Sequence, residues 1–122
     1  YLEIVERKTA SLFAAGARTA AHLADAPPAL VDAMASCGRH VGLAFQVRDD
    51  LLDVEGDSAS LGKTAGKDAA QGKSTFPALL GLDGTRDCLR RLADTMREAL
   101  APFGERTAAL AALGRAAVER TH

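Results

Sequence analysis

Aromatic side chains are scarce in this sequence, with four Phe, one Tyr and no Trp among 122 residues. With few β-branched or aromatic residues to cover a pleated surface, an all-β domain is excluded. Cysteine is equally sparse. Cys37 and Cys88 have no CxxC or CxxxH companion, which argues against a disulfide framework or a structural zinc site and for two reduced, packed thiols. There is no charge excess either: fifteen Lys+Arg face sixteen Asp+Glu, a formal net charge of −1, whereas a nucleic-acid binder carries a cationic surplus. No apolar run is long enough to span a bilayer, and no charged n-region followed by an apolar h-region opens the chain. Together these absences predict a soluble, cytoplasmic protein with neither a membrane span nor a nucleic-acid partner.

What the chain does have is helix-forming residues. Hydrophobic residues make up 48% of it; Ala alone is about a fifth of the chain and Leu is abundant, and these two are among the strongest helix formers. An all-α bundle is therefore predicted. A first helix is expected from Tyr1 to about Asp25, ending before Pro27-Pro28 because a residue ahead of proline is pushed out of the α region. Pro28 suits the first position of a second, long helix to about Glu55, apolar over most of its circumference and so buried in the bundle. From Gly56 to Ser74 the periodicity disappears and four glycines occur, as expected of a functional or irregular loop. Ser74 or Thr75 caps a short helix ending near Gly81 or Gly84. An amphipathic helix over about 85–101 follows, then a break at Pro102 to Gly104 and a last helix over about 105–120.

Chemistry concentrates at the end of the second helix, in Phe45-Gln46-Val47-Arg48-Asp49-Asp50-Leu51-Leu52-Asp53. Helical spacing puts Gln46, Asp49, Asp50 and Asp53 on one side, because residues three and four apart are neighbours. The three carboxylates repel one another and lie toward the negative end of the helix dipole. A divalent cation reverses both penalties, and clustered hard oxygens suit Mg²⁺. A solvated acidic helix end is the plainer alternative for this string taken alone. A second observation weighs against it. Only four of the fifteen basic residues are Lys, yet Lys63, Lys67 and Lys73 all fall in the glycine-rich segment just after the carboxylates. Lys is a compact charge suited to phosphate, and glycine lets backbone N–H groups approach an anion. Carboxylates followed by a Gly/Lys segment read as a site for a metal-chelated phosphate ester.

Rival motifs fail on spacing. Gly62-Lys63-Thr64 and Gly72-Lys73-Ser74 resemble the end of a P-loop, but each preceding glycine is one residue too far away and a helix stands where a strand is required. Asp53, Glu55 and Asp57 imitate an EF-hand loop, but Ser58 replaces its glycine and Thr64 its glutamate. His22, His40 and His122 lack the Glu-x-x-His pairing of a di-iron bundle.

The ordered set Gly42 to Asp53, then Leu61-Gly62-Lys63, Gly66, Asp68, and Gly72 through Gly81 resembles the second aspartate-rich region of trans-isoprenyl diphosphate synthases, in the bacterial farnesyl diphosphate synthase branch. Lys8-Thr9 matches that family's upstream Lys-Thr pair. The resemblance covers essentially the whole chain. It implies the all-α isoprenoid synthase fold, usually homodimeric, and the head-to-tail condensation of isopentenyl diphosphate with an allylic diphosphate through Mg²⁺-assisted ionisation, with Mn²⁺ as a substitute. By motif matching, Asp49 is implied as a direct Mg²⁺ ligand supported by Asp50 and Asp53. Lys8, Thr9, Gln46 and Lys63 are implied as contacts of the allylic diphosphate, with Lys63 catalytic beside Asp49, and Lys73 as a further cationic contact.

The first aspartate-rich motif and the isopentenyl diphosphate site of the family are missing, and family members are more than twice this length. Residues 1–122 are therefore expected to be the C-terminal portion of one prenyltransferase domain, inactive alone. Phe76 stands where the family commonly has Tyr, and Arg120-Thr121-His122 corresponds to a basic tail that closes over the second substrate. Farnesyl diphosphate is the expected product, with geranylgeranyl diphosphate the alternative. A non-catalytic helical partner subunit that binds diphosphate and a terpene cyclase are the competing readings.

Overall fold

The computed structural model describes residues 1–59 and 74–121, and among them every regular element is helical. The first rod runs without interruption through α1 (Leu2–Val5), a π-helical turn (Glu6–Ala10) and α2 (Ser11–Leu23). It stops where Asp25 takes a left-handed φ of 48°, a conformation a short polar side chain tolerates. Pro27 and Pro28 follow, and the Pro27 carbonyl accepts from Leu30 N–H at 2.9 Å and Val31 N–H at 3.1 Å. Pro28 thus opens α3 (Pro28–Ala59) at the position where its missing N–H costs nothing.

At 32 residues, α3 is about 48 Å long and forms the axis of the bundle. Positions 41 to 44 are all buried; at about 100° per residue they sweep most of the helix circumference, so neighbours surround α3 there. The expected end at Glu55 is too early, because the helix continues through Gly56 to Ala59. One glycine costs a helix only about 1 kcal/mol. Across from it, Arg86 of the following helix donates to Glu55 Oε1 from both Nε (3.3 Å) and Nη2 (2.8 Å), tying down the last turns of α3.

Two glycines bring the first rod unusually close. A Cβ at Gly42 would lie 2.6 Å from Ala10 Cα, and one at Gly38 would lie 2.6 Å from the Phe13 carbonyl oxygen. Only glycine allows backbones this near. An ion pair between Glu6 and Arg39 spans the same crossing.

Thr75 caps α4 (Phe76–Leu100): its Oγ1 accepts from Ala78 N–H at 3.3 Å, and Pro77 sits in the first turn. Within α4 the expected short helix and the amphipathic one after it meet at Gly81, whose φ of 71° and ψ of 171° are non-helical and divide the two. Thr85 bridges the bend by donating to the Gly81 carbonyl at 2.7 Å. Buried Leu89, Met96 and Leu100 of α4 join Val41, Val47 and Leu51 of α3 in one core. A 3₁₀ segment (Ala101–Thr107) follows, turning at Gly104 with φ 55°. α5 (Ala108–Glu119) therefore starts three residues later than the expected Glu105. Its Gly114 is seated against Met96. Among the described residues no helix is long and apolar enough to cross a membrane.

Candidate functional site

A cleft of about 360 Å³ opens where the π turn, α3 and the cap of α4 meet, and Lys8, Thr9, Gln46, Asp50, Ser74 and Thr75 line it together with Tyr1, Ile4 and Val5. The π turn matters here. It inserts an extra residue into the first rod, and Lys8 and Thr9 sit on that wide turn opposite the middle of α3. The glycine crossing begins at the end of that turn, with Gly42 against Ala10. Lys8 is exposed and Thr9 half-buried, so the cleft offers an exposed cation beside a partly sheltered hydroxyl.

Asp50 forms the floor. Its side chain is buried, at 5% exposure, and both oxygens are engaged. Gln46 Nε2 donates to Oδ1 at 2.9 Å, while Tyr1 OH at 2.8 Å and the Phe76 backbone N–H at 2.9 Å both donate to Oδ2. Phe76 is the first residue of α4, so this bond satisfies one of the backbone N–H groups that a helix start leaves without an internal partner. The Tyr1 ring meets Phe76 edge-on, with centroids 5.3 Å apart. This carboxyl group can therefore be buried because three donors from three different segments surround it.

Asp49 has the opposite surroundings. A step of about 100° around the helix carries it out of the cleft, and its side chain is 56% exposed. It pairs with Arg120, whose Nη2 lies 2.6 Å from Oδ1. Asp53 is half-buried one turn farther along α3.

The structure thus gathers Lys8, Thr9, Gln46 and Asp50 in one cleft and sets Asp49 beside Arg120. Lys63 and Lys73 lie outside the described residues. Among the described residues no three His, Cys, Asp or Glu side chains group closely enough to hold a metal ion. The donors nevertheless suit Mg²⁺ in kind, since that ion commonly uses one or two carboxylates and keeps several waters. Asp49 and Asp53 are the accessible candidates. The occupied oxygens of Asp50 fit a supporting role. Sequence reasoning overlooked Tyr1, which carries no local motif, and the seat of Arg120 on Asp49.

The polyprenyl synthetase family model matches residues 1–112. The chain belongs to the polyprenyl synthetase family. Among the relatives of this polyprenyl synthetase chain, a farnesyl diphosphate synthase of Escherichia coli (strain K12) is 51% identical over 83 residues, 66% of this chain and 28% of the relative. A farnesyl diphosphate synthase of Bacillus subtilis (strain 168) is 43% identical over 83 residues, 68% of this chain and 28% of the relative. A dimethylallyltranstransferase of Fischerella ambigua is 38% identical over 119 residues, 98% of this chain but 34% of the relative. The chain thus spans about a third or less of the curated relatives it matches. The two thiols are free, with Cys37 buried and Cys88 half-buried. Burial raises the pKa of both, offset at Cys88 in part by the charge of Arg91.

Proposed function

We propose that this chain provides one wall of the allylic diphosphate site of a short-chain prenyl diphosphate synthase, which joins an allylic diphosphate to isopentenyl diphosphate. The observation that carries the reading is the convergence of Lys8, Thr9 and Gln46, from two helices far apart in sequence, on one cleft floored by Asp50. Family membership supports it; farnesyl diphosphate is the proposed product, with geranylgeranyl diphosphate the alternative, since relatives of both names match.

In this reading Lys8 Nζ binds a diphosphate oxygen as a point charge, and Thr9 donates its hydroxyl beside it. Gln46 is oriented by its own bond to Asp50, which holds its amide at the cleft rim. Lys63 and Lys73 add positive charge where the diphosphate leaves. Asp49, with Asp53, would hold Mg²⁺. Mg²⁺ held there would supply positive charge to offset the charge developing on the departing diphosphate. The homodimer and the cytoplasmic location belong to the same proposal.

The test is Asp49→Asn in the full-length protein, assayed with isopentenyl diphosphate and an allylic diphosphate. Turnover should fall by about 10²–10³-fold, as when one preorganised charge-stabilising group is removed. Near-normal turnover rejects the assignment. Calorimetry separates the partner-subunit alternative, which predicts no Mg²⁺-dependent binding of an allylic diphosphate.

A further inference from the structure

The guanidinium of Arg120 occupies a specific seat on α3. Its carbon lies 4.1 Å from the centre of the Phe45 ring, a distance at which a cation is attracted to the ring face. Nη2 reaches Asp49 Oδ1 at 2.6 Å and the Phe45 carbonyl at 3.4 Å. The backbone is held separately: Arg48 Nε donates to the Arg120 carbonyl at 2.7 Å, and Arg120 N–H closes the end of α5 on the Ala116 carbonyl at 3.1 Å. Side chain and main chain are therefore fastened by different partners.

The seat is also incomplete. Among the described residues, the Arg120 Nε–H is buried and finds no acceptor, a deficit that exposure to water would relieve. Asp49 is the partner that carries the opposite charge, and it is the carboxylate proposed above to hold Mg²⁺. One carboxylate with an exposed outer side can satisfy a divalent cation or a guanidinium. A +2 ion placed on Asp49 would lie within a few ångströms of the guanidinium and repel it.

We propose that Arg120 is an exchangeable internal counter-ion for Asp49. It neutralises that carboxylate when no cation is bound, and a divalent cation displaces it. The Arg48 bond to the Arg120 carbonyl keeps the end of α5 in place while the side chain leaves. The inference rests on the reading of Asp49 as a metal ligand, and it adds a cost to metal binding that the chain itself sets. By thermodynamic reciprocity, removing the competitor must tighten the metal.

Mn²⁺ binding to the full-length protein, followed by electron paramagnetic resonance without substrate, tests both layers. Asp49→Asn should weaken Mn²⁺ at least tenfold; unchanged affinity overturns the metal reading itself and the exchange with it. Arg120→Gln should tighten Mn²⁺ about fivefold, the equivalent of one partly exposed ion pair. Unchanged or weaker binding in Arg120→Gln, with Asp49→Asn impaired, overturns the exchange alone. Should Arg120→Gln fold poorly, the wild type answers the question through the Arg120 Nε–H signal in nuclear magnetic resonance. That signal should shift saturably as Mg²⁺ is added, and one blind to saturating Mg²⁺ overturns the proposal.

Discussion

Asp49 and Asp50 are chemically identical neighbours, yet the two faces of α3 on which they stand are built for different purposes. On the Asp50 side the carboxylate is enclosed by donors from the first rod, from α3 itself and from the start of α4. On the Asp49 side it meets solvent and one arginine, Arg120. A buried carboxyl group with every oxygen engaged joins segments together; an exposed one remains available to a ligand. The lesson is that a run of acidic residues on a helix meets different surroundings by angle, one carboxylate enclosed by donors and the next left at the surface.

Substitution at the two positions should break this pairing in opposite ways. The largest expected effect is the loss of about 10²–10³-fold in turnover for Asp49→Asn, with unfolding free energy changed by no more than about 1 kcal/mol because only a partly exposed ion pair is removed. Asp50→Ala should do the reverse and lower stability by about 3 kcal/mol in urea titration, since three donors are left facing a space without an acceptor. Loss of turnover without loss of stability at Asp50 would contradict the division.

The scaffolding on the Asp50 side can be weakened without touching a charge. Gly42→Ala drives a methyl into the backbone of Ala10 and should cost about 2 kcal/mol, an overpacking penalty. It should also weaken diphosphate binding, because Lys8 and Thr9 move away from Gln46; calorimetry checks the second part. Thr75→Ala removes the cap of α4 and should cost about 1 kcal/mol.

The smallest effect concerns the buried axis itself. Burial raises the Cys37 thiol, so the unfolded chain releases that proton first. This stabilising contribution is complete below about pH 8.5 and is lost as pH rises through the raised folded value. Urea titrations from pH 7 to 10 should show stability falling, less steeply in Cys37→Ala.

Much of this was readable in the chain, and the misses are local. The Pro28 start of α3 and the Thr75 cap are local chemistry. The end of α3 was misjudged because Gly56 only weakens a helix, whereas Arg86 holds Glu55 from another helix. Four residues of the cleft were visible as an ordered set, Lys8-Thr9 and then Gln46 with Asp50. The π turn beneath Lys8 was not, since Glu6 to Ala10 has ordinary helical composition. Helical spacing grouped Asp49, Asp50 and Asp53 and could not rank them.

The sequence by itself determined an all-α bundle, the long apolar axis and the identity of the acidic and basic residues, because helix propensity, caps and periodicity act over a few neighbouring positions. Only the tertiary structure decided which carboxylate is enclosed and which is offered. Asp50 depends on Tyr1 and Phe76, and Asp49 on Arg120, partners 49, 26 and 71 positions away. Donors at such separations reach a carboxylate only when packing brings their helices together.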